Sequence, residues 1–119
     1  MQVEHVDFVS VLTQDLQRAK QFYVETLGLE VESEGDSDLE LSCGQVTLDV
    51  FDPSSIGQPF APSPAGIALR VHDVDAARAE LEAKGVEFDG DTIVTGVCKQ
   101  AWFKDPDGNA LMLHRRFDA

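Results

Sequence analysis

A chain of 119 residues, 43% of them hydrophobic, is long enough to bury one core of ordinary domain size. It has no apolar run near the roughly 20 residues of a membrane span, and Met1-Gln2-Val3-Glu4-His5 lacks the basic and apolar regions of a secretion signal. Lys plus Arg total 9 against 22 Asp plus Glu, a net charge of −13 that repels phosphate backbones and argues against nucleic acid as partner, while the lack of an apolar run argues against a membrane.

The first predicted strand is Val6 to Leu12, rich in β-branched and aromatic residues. Asp15 then serves as N-cap to a helix whose Leu16, Ala19, Phe22, Tyr23 and Leu27 form one apolar stripe, closed by Gly28. Leu29 to Glu34 and Leu39 to Cys43 read as short strands around the turn Gly35-Asp36-Ser37-Asp38. Gln45 to Phe51 alternates, with Val46, Leu48 and Val50 on one face and Thr47, Asp49 and Phe51 on the other. Asp52 to Ala65, rich in Pro, Ser and Gly, reads as a connector in which Ile56 and Phe60 are expected to pack down rather than stay in water.

Gly66 to Val71 is the next strand, followed by Asp73 capping a helix with Val74, Ala77 and Leu81 inward and Lys84-Gly85 at its end. Val86 to Phe88, Thr92 to Val94, Cys98 to Lys104 and Asn109 to His114 are the remaining strands, and Asp105-Pro106-Asp107-Gly108 has good turn chemistry. The order is therefore written twice, with the capping Asp at 15 and again at 73, 58 residues on. The expected fold is α+β: two βαβββ modules forming a paired or partly closed sheet or barrel of about eight strands with a central cleft. We read one domain, with module one at 1–52, a connector at 53–65 and module two at 66–119. The two cysteines, Cys43 and Cys98, make no C-x-x-C, which fits small buried hydrophobes in a reducing cytoplasm.

Asp15-Leu16-Gln17-Arg18-Ala19, then Phe22-Tyr23 and Leu27-Gly28-Leu29, resembles the opening module of the vicinal oxygen chelate superfamily, which includes glyoxalase I, extradiol dioxygenases and bleomycin-binding proteins. Phe103-Lys104-Asp105-Pro106-Asp107-Gly108-Asn109 resembles its second-module signature, and the likeness covers nearly the whole chain. In the metal-dependent members the resemblance implies four inward ligands, one from the first and one from the last strand of each module. They hold a divalent ion that polarises vicinal oxygens of the substrate. Seven residues before each capping Asp, where the family keeps a first-strand ligand, this chain has Phe8 and Gly66. The last-strand positions fall on Met112 and, by a less certain register, Asp49. A thioether and one carboxylate suit a hard divalent ion poorly, so no metal cofactor is expected. Asp49, His72 and His114 remain as an unorthodox alternative set, while His5 lies on the wrong strand face.

Strand parity gives a cleft lining of Phe8, Ser10, Leu12, Thr47, Asp49, Phe51, Ala68, Arg70, Met112 and Trp102, with His114 at the rim. The expected ligand contacts are Phe8, Phe51 and Trp102 for stacking, Asp49 for a cationic group, Arg70 for a carboxylate, and Ser10, Met112 and His114 around them. The alternative is that these side chains simply fill a small barrel. The resemblance then implies a metal-independent small-molecule binding protein like the bleomycin-resistance branch, sequestering an aromatic or cationic ligand and leaning away from catalysis. Two other readings stay open: a metal-dependent lyase, isomerase or oxygenase with a non-standard ligand set, and a non-metal enzyme or scaffold. A homodimer is implied by the resemblance, with the modules pairing within or between chains.

Overall fold

The structure is a computed structural model and describes residues 1–118. The chain divides into two compact units, one spanning Met1–Pro62 and one from Ser63 onward. The first holds β1 (Phe8–Leu12), α1 (Leu16–Lys20) running into a π-helical segment (Gln21–Thr26), β2 (Glu30–Glu34), β3 (Asp38–Cys43) and β4 (Val46–Phe51), then a 3₁₀ turn, Pro53–Ile56. The second holds β5 (Ile67–Arg70), α2 (Val74–Ala83), β6 (Ile93–Val94), β7 (Cys98–Lys104) and β8 (Ala110–Arg116). The eight strands divide into two four-stranded sheets, ordered β1-β4-β3-β2 and β5-β8-β7-β6, so each unit is a βαβββ module and neither sheet closes into a barrel.

Each first strand runs parallel to the last strand of its module, and the remaining pairs are antiparallel. Parallel neighbours need a crossover, which the helix supplies. The Asp caps behave as expected: the Asp15 carboxylate accepts from the Arg18 N–H at 3.1 Å and that of Asp73 from the Ala76 N–H at 3.0 Å. Alternation does the rest. In the first unit Val11, Leu39, Leu41, Leu48 and Val50 are buried along with Ala19 and Tyr23 from the helix. In the second, Ala101, Phe103, Leu111 and Leu113 are buried along with Val74 and Leu81. Leu and Val on one sheet face with a helical apolar stripe form the core of each unit.

Three expectations need correction. The first helix is not α throughout: from Gln21 it widens, the Leu27 N–H donating to the Phe22 carbonyl five residues back at 2.9 Å. The closing Gly lies 13 positions after the capping Asp here, 28 after 15, but 12 positions after it in the second, 85 after 73. Val86 to Phe88 forms no strand; Phe88 makes one isolated bridge to Phe103. Its ring sits between Phe103, 5.1 Å away, and the Arg78 guanidinium, 4.7 Å away, while Arg78 also donates to Thr92 Oγ1 and the Gly90 carbonyl. Those tethers bend the chain away from the ladder. Ile56, expected to pack down, is 64% exposed, because the 3₁₀ turn capped by Asp52 buries Pro53 instead; Phe60 is half-buried.

Candidate functional site

Each sheet has one face against its helix and one open face. Register shows what the open faces carry. In the first unit Phe8 pairs with Thr47 and Ser10 with Asp49; in the second Ala68 pairs with Met112 and Arg70 with His114. Counted from the capping Asp, Ser10 and Ala68 are equivalent, so Asp49 and Met112 are equivalent too. Of the eight expected contacts, Phe8, Ser10, Asp49 and Phe51 lie on the open face of the first sheet. Arg70, Trp102, Met112 and His114 lie on the open face of the second.

On the first face Phe8 is 58% exposed, and Ser10 Oγ donates to Asp49 Oδ2 at 3.2 Å. Asp49 Oδ1 is buried with no hydrogen-bond partner among the described residues. Burial pushes the Asp49 carboxyl above its usual range; Ser10 pulls it down, and the Asp38 and Glu40 carboxylates push it up further. Asp38 can satisfy Asp49 only when a proton lies between the two, which is why that neighbour favours the neutral form. One oxygen each from Asp38, Glu40 and Asp49 lie within 4.8 Å of one another. Glu32, at the β-bulge between Val31 and Ser33, accepts from Thr47 Oγ1 at 2.8 Å and extends the acidic surface.

The sequence reading missed Asp38, Glu40 and Glu32. It set Asp38 in the turn, whereas β3 begins at that residue. The signal was available for Glu40, since Leu39 and Leu41 inward put Glu40 on the face of Asp49. No alternation rule finds Glu32, which owes its place to the bulge.

The second face is built around an indole. Trp102 Nε1–H donates to Gln100 Oε1 at 3.0 Å, and its six-membered ring reaches Gly66. A Cβ on Gly66 would overlap that ring, with Cη2 2.7 Å and Met112 Cε 3.5 Å away, and Gly66 has φ +79°. Gly66 is thus required twice, by its backbone angle and by the indole. Neither Gln100 nor this contact was read from the sequence.

The ligand positions that the resemblance implies are Phe8, Asp49, Gly66 and Met112, and the register makes Asp49 and Met112 equivalent to one another. Phe8 and Gly66 offer no ligand atom, Met112 offers a thioether, and the space a side chain would need at Gly66 is filled by Trp102. These residues do not fit a hard divalent ion of that kind. Cys43, half-buried, has its thiol pKa pushed up by burial and then by Glu32, the wrong direction for a nucleophile. Among the described residues no helix is long and apolar enough to cross a membrane.

Comparison with known proteins agrees with this architecture. The chain is 31% identical over 127 aligned positions to the uncharacterized protein YaeR of Escherichia coli (strain K12), covering 96% of this chain and 98% of that one. Among solved structures it is similar to TnmS3, an antibiotic binding protein from Streptomyces sp. CB03234, with 34% identity, TM-score 0.81 and 98% of each chain covered. It also shares its fold with a lactoylglutathione lyase from Agrobacterium tumefaciens at 20% identity and TM-score 0.81, covering 95% of this chain and 94% of that one. The family model matching residues 3–113 is that of the Glyoxalase/Bleomycin resistance protein/Dioxygenase superfamily, and the chain belongs to that superfamily.

Proposed function

We propose that this chain is a metal-independent small-molecule binding protein that sequesters an aromatic or cationic ligand on its open sheet faces and works as a cytoplasmic homodimer. The observation that carries the reading is the first face, where a solvent-exposed Phe8 shares one surface with the carboxylates of Asp38, Glu40 and Asp49. Phe8 and Phe51 supply flat apolar area, Asp49 a negative charge and Ser10 a hydroxyl, the mix that small-molecule sites use. On the second face Trp102 and Met112 offer an apolar plate, with Arg70 and His114 as polar contacts. The 34% identity to an antibiotic binding protein over nearly the whole chain supports the same reading.

The test is thermal melting of chelator-treated protein against a panel of bleomycin, quinone and aromatic amine antibiotics. A true ligand at a hundred times its Kd adds about 2.7 kcal/mol, an upward shift of several degrees. The same ligand should bind at least about tenfold more weakly to Asp49→Asn if it is cationic. A panel that moves no melting temperature sinks the proposal. Elemental analysis of protein purified without chelator supplies the other arm: stoichiometric Fe, Ni, Mn or Zn would favour a metal-dependent enzyme instead.

A further inference from the structure

Charge is shared out unevenly along the strands of the second unit. β5, β7 and β8 hold five of the 9 Lys and Arg residues, Arg70, Lys99, Lys104, Arg115 and Arg116, and none of the 22 Asp and Glu. Lys99 and Arg115 face the helix side by alternation, and Lys104 pairs with Asp89 at 2.9 Å. Arg70 and Arg116, both exposed, and half-buried His114 lie on the open side with no hydrogen-bond or ion-pair partner among the described residues. Register sets Arg70 beside His114 and His114 beside Gln100, one row across the sheet. Arg116 is two positions beyond His114, about 7 Å further along the strand. Two guanidinium groups left unpaired in so acidic a chain point to an anion that the chain does not itself supply.

The next row, on the side away from Arg116, is Ala68, Met112 and Trp102. The indole is held at both ends: Nε1–H donates to Gln100 Oε1 at 3.0 Å, and the six-membered ring lies against Gly66. With its single donor spent inside the protein, the half-buried ring offers a ligand apolar aromatic surface and nothing polar. We infer, on the small-molecule reading above, that this face is a binding site for an aromatic carboxylate, the ring packing on Trp102 and Met112 and the carboxylate held by Arg70 and His114. Rows about 7 Å apart suit one fused ring and the carboxylate it carries. The planar guanidinium meets a carboxylate through two parallel N–H donors, and an imidazole keeps one ring N–H to donate even when neutral. A cation here would meet Arg70 and Arg116 with no acid on the three strands to offset them. A small inorganic anion would use the arginines and leave the indole bare.

The test titrates the isotope-labelled full chain, followed by NMR, with 2-naphthoate, its neutral isostere 2-naphthamide and the cationic 2-naphthylmethylammonium. Trp102 is the only tryptophan, so a single indole N–H resonance reports contact with the ring. Naphthoate should move that resonance and bind at least about tenfold more tightly than either analogue. Arg70→Gln should weaken naphthoate about tenfold and leave naphthamide unchanged; Arg70→Lys should fall between, because charge without the planar fork keeps part of the contact. Backbone amide spectra check that each variant stays folded. An indole resonance that never moves, or naphthoate that keeps its affinity in Arg70→Gln, overturns the inference. Naphthamide binding as tightly as naphthoate defeats the carboxylate site alone and leaves the small-molecule reading standing. Naphthoate binding by a chain that no antibiotic of the panel stabilises keeps the carboxylate site and removes the cationic ligand.

Discussion

In the first unit the hairpin between β3 and β4 turns over two residues, with Gly44 at φ 72° taking the first central position. The corresponding hairpin of the second unit, between β7 and β8, takes the five residues 105–109 and is held from inside. Asp105 is buried; its Oδ1 accepts from the N–H groups of Asp107 and Asn109, and its Oδ2 from Asn109 Nδ2 at 2.8 Å. Asn109 Oδ1 in turn accepts from the Ser63 N–H at 2.8 Å, tying the start of the second unit to the turn. A backbone-encoded turn tolerates side-chain change, while a side-chain-encoded turn does not. The most family-like string in this chain, Asp105 to Asn109, is therefore a structural staple.

That contrast sets the largest expected effect. Asp105→Ala leaves three donors without their acceptor and should cost about 4 kcal/mol. The matching change in the first hairpin, Gln45→Ala, should stay within about 0.5 kcal/mol. Chemical denaturation of both variants measures the gap, and equal losses would break the comparison. The next effect separates the equivalent positions 66 and 8. Gly66→Ala meets the Trp102 ring at an unfavourable backbone angle and should cost about 2 kcal/mol. Because Trp102 is the only tryptophan, its emission should shift as well. Phe8→Ala, at an exposed side chain, should leave both stability and emission nearly unchanged.

The smallest effect sharpens the contrast between Asp49 and its counterpart Met112. The folded-state pKa of Asp49 lies above its ordinary value of 3.8, so the folded state holds that proton more tightly than the unfolded chain. The stability linked to this proton is full below pH 3.8 and is lost as pH rises through the raised folded value. Asp49→Asn should therefore stabilise the chain at neutral pH by less than about 1 kcal/mol, solvent screening included, and the gain should vanish in acid. Melting curves across that range read the sign; a variant less stable at neutral pH would reverse the assignment.

Much of this was legible from residues alone. Asp15 and Asp73 marked both helix starts because a carboxylate cap is a local device, and β7 ran from Cys98 to Lys104 as alternation required. Counting back from the caps gave Phe8 and Gly66, counting on from Asn109 gave Met112, and register makes Asp49 the equivalent of Met112, because strand spacing is fixed by backbone geometry. What escaped depends on contacts distant in sequence. Glu32 reaches Thr47 through a bulge, Trp102 lies over Gly66 36 residues away, and Phe88 leaves the ladder because Arg78 and Phe103 hold it. No period in the sequence encodes a side chain lying across three strands.

The widened stretch from Gln21 to Thr26 has a consequence for how such a chain can change. An α-helix that gains a residue rotates everything after it by about 100° and turns its apolar stripe away from the sheet. A turn closed over five residues rather than four takes up that extra residue as slack, so Tyr23 stays fully buried and Gly28 still ends the helix. The halves of a duplicated chain can then drift in length without losing phase, and an insertion that would unfold a stricter helix costs this one a single loosened turn.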